Sequence, residues 1–293
     1  MKHISLFSGG GGFDLAAEWV GWTNVVSCEV EDFQNRILEY YWPEVYHHRD
    51  IKTLTGDKIN KESTKRYGSN WRKDGVIITG GFPCQPFSNA GKRKGTEDDR
   101  YLWPEMFRII KEVRPDWVVA ENVAAITSMV FPSEAVKMGT QPNIFGEDNE
   151  IFEVRQEYVI HRILKDFESE GYDVQAFIIP AAAVGAPHKR DRIWIIANTK
   201  SKGLQRFEES RDTNKKRTYK KQFIGRFFQP TWEKFPTQSP ICSGNDGFPY
   251  YLDGITFPEW RKETLKTFGN AIVPQVAYMI FKTINSIISG KIK

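Results

Sequence analysis

The feature that most constrains this chain is an alternation that runs from the N-terminus to about Asn198. Short runs rich in Val, Ile and Phe alternate with segments whose apolar residues recur at helical spacing. The strand candidates are Ile4–Phe7, Val25–Val30, Val76–Thr79, Trp117–Ala120, Val174–Ile179 and Ile193–Ala197. Most are continuous apolar runs, as expected of strands buried on both faces of a parallel sheet. Between them, Phe33, Ile37, Leu38 and Tyr41 predict one helix face, which stops before Pro43. Ile160, Ile163, Leu164 and Phe167 predict another, which stops at Gly171. A β-α-β-α order predicts an α/β fold built on a doubly wound sheet.

The texture changes after Asn198. Over 199–264 the periodicity is poor, and aromatics, prolines and basic residues dominate. Helical spacing then returns in Val276, Met279, Ile280, Thr283, Ile284 and Ile287, a stripe expected to pack back onto the first domain. The expected organisation is therefore a main domain of residues 1–198 plus 265–293, interrupted by a small second lobe at 199–264. Charge follows the same division. The whole chain carries 41 Lys and Arg against 37 Asp and Glu, a net of +4 that decides little by itself. Residues 199–226 alone hold ten Lys and Arg against three acids, a net of +7, which leaves −3 for the rest. Such a stretch binds phosphate strongly and in a salt-sensitive way, unless it is only a solvated basic loop.

Several classes fall away. No apolar run approaches the ~18 residues of a membrane span. The longest, Phe177–Val184, contains Pro180. The N-terminal apolar stretch ends at Phe7 in a run of glycines, unlike a secretory signal. The three cysteines, Cys28, Cys84 and Cys242, lack any CxxC spacing. That argues against a disulfide framework or a zinc site and makes a reducing cytoplasm the expected compartment.

The first strand candidate runs into Phe7-Ser8-Gly9-Gly10-Gly11-Gly12-Phe13. Glycines at a strand-to-helix turn let the backbone approach a ligand closely. The second strand candidate ends near Glu29, whose carboxylate can accept from ribose hydroxyls. Asp50 could accept from an adenine amino group. Together these point to an adenosine-bearing cofactor, with NAD still open and a ligand-free glycine turn as the bland alternative.

The most informative stretch is Val76-Ile77-Ile78-Thr79-Gly80-Gly81-Phe82-Pro83-Cys84-Gln85-Pro86-Phe87-Ser88. A lone cysteine is most often a buried core thiol. Here two prolines restrict the residues before them and hold Cys84 at the mouth of the sheet. Ligands bind along that edge in α/β folds.

This stretch resembles the catalytic motif of the C5-cytosine DNA methyltransferase family. Four further motifs follow the family's order: the Phe7–Phe13 glycine loop, Glu121-Asn122-Val123, the Gly185–Arg192 region and Gly269-Asn270-Ala271-Ile272-Val273-Pro274. The resemblance covers nearly the whole chain outside 199–264. It implies a Rossmann-like sheet that uses S-adenosylmethionine, leaving S-adenosylhomocysteine as product, and double-stranded DNA as substrate. It also implies roles. Cys84 is the nucleophile at cytosine C6, Glu121 a proton donor at N3, and Arg192 a contact to O2 that orients Glu121. Phe7, Gly9, Gly10, Gly11, Glu29, Val30, Asp50, Ile51, Pro83, Leu102, Asn270 and Ile272 would form the cofactor pocket. Gln85, Ser88, Lys92, Arg93 and Arg190 would meet DNA, with Arg190 on a phosphate or bracing the catalytic loop. Two positions depart from the family pattern. His188 stands where glutamine is usual, and Val30 where a bulky residue often covers the adenine. Asn122 is expected to shape its loop, and helix N-termini or a nearby Arg to help form the Cys84 thiolate.

The enzyme is expected to be a monomer, with a separate restriction endonuclease as an optional partner. Three alternatives compete: a tRNA cytosine-5 methyltransferase of the same fold, a catalytically silent DNA-binding relative, and an NAD-dependent dehydrogenase. The last leaves Cys84, Glu121 and Arg192 unexplained.

Overall fold

The structure, a computed structural model, describes residues 1–84, 101–131, 134–142, 148–155, 157–199 and 257–290. Its centre is a seven-stranded sheet. The strands in chain order are β1 (Lys2–Leu6), β2 (Thr23–Cys28), β3 (Tyr46–His48), β4 (Val76–Gly80), β5 (Trp117–Val123), β8 (Tyr172–Pro180) and β9 (Asp191–Thr199). Two more strands, β6 (Glu134–Pro142) and β7 (Asp148–Arg155), pair with each other as a separate antiparallel hairpin.

The spatial order is β3-β2-β1-β4-β5-β9-β8. The first five strands are mutually parallel, while β9 runs antiparallel to both β5 and β8. The sheet is thus mixed: it is α/β and doubly wound as expected, with β9 the one strand that runs against its neighbours. A continuous apolar run reports burial on both faces and carries no sign of strand direction. The chain winds from β1 outward to β3, then returns to the other side of β1 with β4. That reversal makes a topological switch point between β1 and β4.

Seven helices are described: α1 (Gly12–Trp19), α2 (Asp32–Tyr41), α3 (Gly56–Tyr67), α4 (Trp103–Val113), α5 (Val159–Ser169), α6 (Phe257–Asn270) and α7 (Pro274–Ile288). On one face of the sheet, Ile59 of α3, Trp103, Met106 and Ile110 of α4, and Ile163 and Phe167 of α5 bury Ile4, Ile78, Val118 and Ile195. On the other, Phe13 and Ala16 of α1 and Val276, Ile280, Phe281 and Ile284 of α7 bury Ile77, Val119 and Trp194. The last helix therefore packs onto the first, as its stripe predicts. Trp22 Nε1 also donates to Asn285 Oδ1 at 2.8 Å. Tyr41 and Met279 depart from their predicted faces and are exposed. α6 begins at Phe257, and its Trp260 packs on Phe33 and Ile37 of α2. No single helix among the described residues is long and apolar enough to cross a membrane. The α6–α7 pair reaches that length only across a 42° bend, and α7 has its apolar face against α1.

A buried polar network ties α1 to three strands. His3 Nδ1 contacts Asn24 Oδ1 at 2.7 Å and Nε2 contacts Thr79 Oγ1 at 2.8 Å. Asn24 Oδ1 can only accept, so Nδ1 carries the proton and Nε2 accepts from Thr79. Asn24 Nδ2 donates to the Asp14 carbonyl, and Ser5 Oγ donates to Asp14 Oδ2, both at 3.0 Å. Burial drives the Asp14 carboxyl up to about 7 and the His3 imidazole down to about 4.

For Asp14 the folded value lies above the ordinary carboxyl value of 3.8, so the folded state holds the extra proton between the two. Its contribution to stability is present below about pH 4 and is lost as pH rises toward 7. Asp14→Asn keeps an acceptor for Ser5 and removes this titration. Urea melts from pH 4 to 7 should show wild type losing stability relative to Asp14→Asn as pH rises. A difference independent of pH would contradict the assignment.

Candidate active site

Five parallel strands end along one edge, and the antiparallel β9 begins there. A cavity of about 670 Å³ opens at this edge. Each functional side chain reaches it from a strand end or the turn that follows. β1 gives way to a turn in which Phe7, Gly9 and Gly11 have positive φ angles of 53°, 55° and 83°. Gly9 N donates to Glu29 Oε2 at 2.7 Å, and Glu31 N donates to Glu29 Oε1 at 3.0 Å. The carboxylate just past β2 is thus fixed between the glycine turn and the start of α2. Burial raises its pKa against the pull of those backbone donors. Asp50, just past β3, turns Oδ1 to Lys52 N at 2.9 Å and lines the cavity beside Ile51.

The other half of the cavity is built after β4 and β5. Gly81 carries the chain past Glu121, where an added Cβ would lie 3.2 Å from Glu121 Oε2. Asn122 holds the next turn: Nδ2 donates to the Phe82 carbonyl at 2.8 Å, and Oδ1 accepts from Val123 N at 2.9 Å. This brace joins the cysteine loop to β5, the shaping role expected of Asn122. Cys84 is buried, bridges to Tyr101 and places Sγ 3.8 Å from Met129 Sδ. Burial pushes its thiol up to about 12.

Glu121 lies within β5, not in a solvated loop after it. It sits opposite Trp194, and Arg192 sits opposite Val123, so Glu121 and Arg192 are diagonal neighbours on one face. Long side chains span that diagonal, and Arg192 Nε reaches Glu121 Oε1 at 2.9 Å. Burial raises the Glu121 carboxyl to about 7, while Arg192 and Arg190 pull it back down. Near neutrality the site therefore holds a carboxyl that can give or take a proton.

Of the predicted cofactor residues, Phe7, Gly9, Glu29, Val30, Asp50, Ile51, Pro83, Leu102 and Asn270 line the cavity, with Cys84, Glu121 and Arg192. Val30 is largely exposed at its rim. Gly10, Gly11 and Ile272 do not line it. A Cβ at Gly11 would come 2.4 Å from the Trp42 ring, so this glycine admits an indole instead of a ligand. A Cβ at Gly12 would come 2.7 Å from Ile272 Cγ1, because Ile272 packs under the start of α1. Arg190 also falls elsewhere than expected: Nη2 donates to the Gly269 carbonyl at 2.9 Å and to that of Ala271. Gln85, Ser88, Lys92 and Arg93 lie outside the described residues. Sequence reading missed Met129, Gln34, Lys266 and Thr267, all of which line the cavity. Met129 closes the short 3-10 turn Ala124–Ser128 that follows β5, and nothing in its local sequence marks it.

A sequence model of the C-5 cytosine-specific DNA methylase family matches residues 1–136 and 141–239, and the chain belongs to that family. It is 31% identical over 214 residues to the type II methyltransferase M.FnuDI of Fusobacterium nucleatum, covering 71% of this chain and 50% of that protein. It is 29% identical over 211 residues to M.HhaI of Haemophilus parahaemolyticus, covering 71% and 52%. The chain spans about half the length of the curated relatives it matches. Among solved structures, a variant of Spodoptera frugiperda DNMT2 aligns with a TM-score of 0.48 at 21% identity, over 72% of this chain and 53% of that one.

The electrostatics of the pair can be tested directly. Arg192→Met removes the nearest positive charge from a buried carboxyl. A carbon-13 carboxyl titration should place Glu121 higher than in wild type; an unchanged or lower midpoint would contradict the coupling.

Proposed function

We propose that the chain is a DNA (cytosine-5)-methyltransferase that takes its methyl group from S-adenosylmethionine. The observation that supports this reading best is convergence. Cys84, Glu121 and Arg192 line one cavity together with Glu29 and Asp50. The donor set suits the cofactor. Glu29 and Asp50 offer acceptors for ribose hydroxyls and an exocyclic amine. Phe7, Ile51 and Leu102 supply apolar walls for a purine. A Cβ at Gly9 would meet nothing within 4 Å, so there is open space beside the glycine turn. When bound, the cofactor supplies an electrophilic methyl group on a sulfonium centre.

The rest of the chemistry falls to this chain's own residues. Cytosine C5 is a poor nucleophile, and covalent addition at C6 activates it. Cys84 Sγ forms a bond to C6, and the C5–C6 π pair shifts toward C5. Glu121 gives its proton to N3 and so neutralises the charge that addition builds on the ring. Arg192 then faces the resulting carboxylate and the O2 side of the base. Burial keeps the Cys84 thiol protonated at rest, so as Sγ bonds to C6 its proton passes to water. Once C5 carries the methyl group, water takes the C5 proton, that C–H electron pair restores the C5–C6 double bond and expels Sγ, which regains a proton from water, and N3 returns its proton to Glu121. Because C5 and C6 are shielded within a duplex, the target base is flipped out of the stack, at a cost of roughly a few kcal/mol. Gln85, Ser88, Lys92 and Arg93, which follow Cys84 in the chain, are assigned to the DNA side, and 199–264 to target recognition.

The test is transfer of labelled methyl to duplex DNA, with tRNA offered in parallel. Wild type should label DNA. Cys84→Ala should lose transfer while retaining DNA binding. Turnover in Cys84→Ala would sink the mechanism, and labelling of tRNA alone would reassign the substrate.

A further inference from the structure

Arg190 stands two residues before Arg192, yet it does not line the cavity. Its guanidinium Nη2 carries two hydrogens. Both are engaged inside the protein, by the carbonyls of Gly269 and Ala271, 79 and 81 residues away in sequence. Gly269 belongs to the last turn of α6 and Ala271 follows its final residue. The last four carbonyls of a helix have no partner within the helix, and the same end carries partial negative charge. Pro274, which opens α7, has no N–H to offer them. Arg190 meets both needs with one charged fork. Its own backbone is held at φ +39°, a region that L-residues adopt only when the surroundings demand it.

The segment so held is a wall of the cavity. Gly269, Asn270 and Ala271 line it, and Arg190 does not. Lys266 and Thr267, one turn earlier on α6, reach across to α2. Lys266 pairs with Glu31 at 2.9 Å, and Gln34 Nε2 donates to Thr267 Oγ1 at 3.0 Å. Glu31 N in turn donates to Glu29. α6 is therefore fastened at two points, to the Glu29 side through α2 and to the Glu121–Arg192 side through Arg190.

We infer that Arg190 acts as a positioning residue for the cofactor end of the cavity, capping α6 so that Gly269–Ala271 keeps its shape, instead of serving chiefly as a DNA phosphate contact. A second consequence follows from its charge. Arg190 and Arg192 both lower the Glu121 carboxyl, so removing Arg190 raises it.

The inference rests on the reading of the cavity as a cofactor site, and binding measurements separate the two. Titration calorimetry with S-adenosylhomocysteine is run on wild type, Arg190→Met and Arg190→Lys, and DNA affinity is measured against salt concentration. Arg190→Met should weaken the nucleoside by about tenfold or more, as expected for a lost charge-assisted hydrogen bond. Its DNA salt slope should match wild type. The alkaline limb of its pH–rate profile should move to higher pH. Arg190→Lys keeps a charge at the helix end and should recover both properties in part. An unchanged nucleoside affinity together with a salt slope reduced by about one would make Arg190 a phosphate contact and overturn the inference. If Arg190→Met fails to fold, Arg190→Gln, which also removes the charge but can still donate to a carbonyl, takes its place, and an unchanged nucleoside affinity with a salt slope reduced by about one would overturn the inference equally. Failure of wild type itself to bind S-adenosylhomocysteine would refute the cofactor reading instead.

Discussion

The ion pair between Arg192 and Glu121 forms because β9 runs against its neighbours. The parallel strands deliver their C-terminal ends to one edge of the sheet, and only an antiparallel strand can bring an N-terminal end there. Arg192 therefore stands beside a carboxyl that would otherwise be buried without a partner. A buried charge lacking a partner is costly, so the pair and the burial belong together. The same edge receives Phe7 and Gly9 after β1, Glu29 after β2, Asp50 after β3 and Cys84 after β4. One topological fact thus gathers residues spread over most of the described chain.

Burial acts on the site in two directions. It raises Glu121 into the neutral range, where a carboxyl can serve as an acid, and the arginines keep it from rising further. It also raises Cys84, which keeps the thiol protonated until a reaction partner arrives. A protected thiol beside a proton-bearing carboxyl suits addition to a ring that must gain a proton as it is attacked. The network of His3, Asn24, Thr79 and Asp14 lies below, joining β1, β2, β4 and the first turn of α1. It stiffens the platform from which the glycine turn and the cysteine loop rise.

Much of this was legible in sequence because it depends on local chemistry. Apolar runs marked six of the seven sheet strands. The glycine turn, Glu29 and the proline-flanked Cys84 marked strand ends at which ligands bind. What escaped was non-local. β3 has only three residues, Tyr46–His48, and two of them are histidines, so it leaves no apolar run. The direction of β9 is a matter of connection, not composition. Gly11 and Ile272 look like ligand contacts in a motif, but packing against Trp42 and the start of α1 claims them. Arg190 is expected on a phosphate or bracing the catalytic loop; its bond to the Gly269 carbonyl, 79 residues on, leaves no local trace in sequence.

The most direct measurement is covalent trapping. Wild-type protein is incubated with S-adenosylmethionine and a duplex carrying 5-fluorocytosine at the target position, where the fluorine blocks release. Denaturing electrophoresis and peptide mass mapping should show one protein–DNA adduct, attached through Cys84 and absent in Cys84→Ala. Methylation of ordinary duplex DNA by a protein that yields no adduct, or yields one at another residue, would contradict this account.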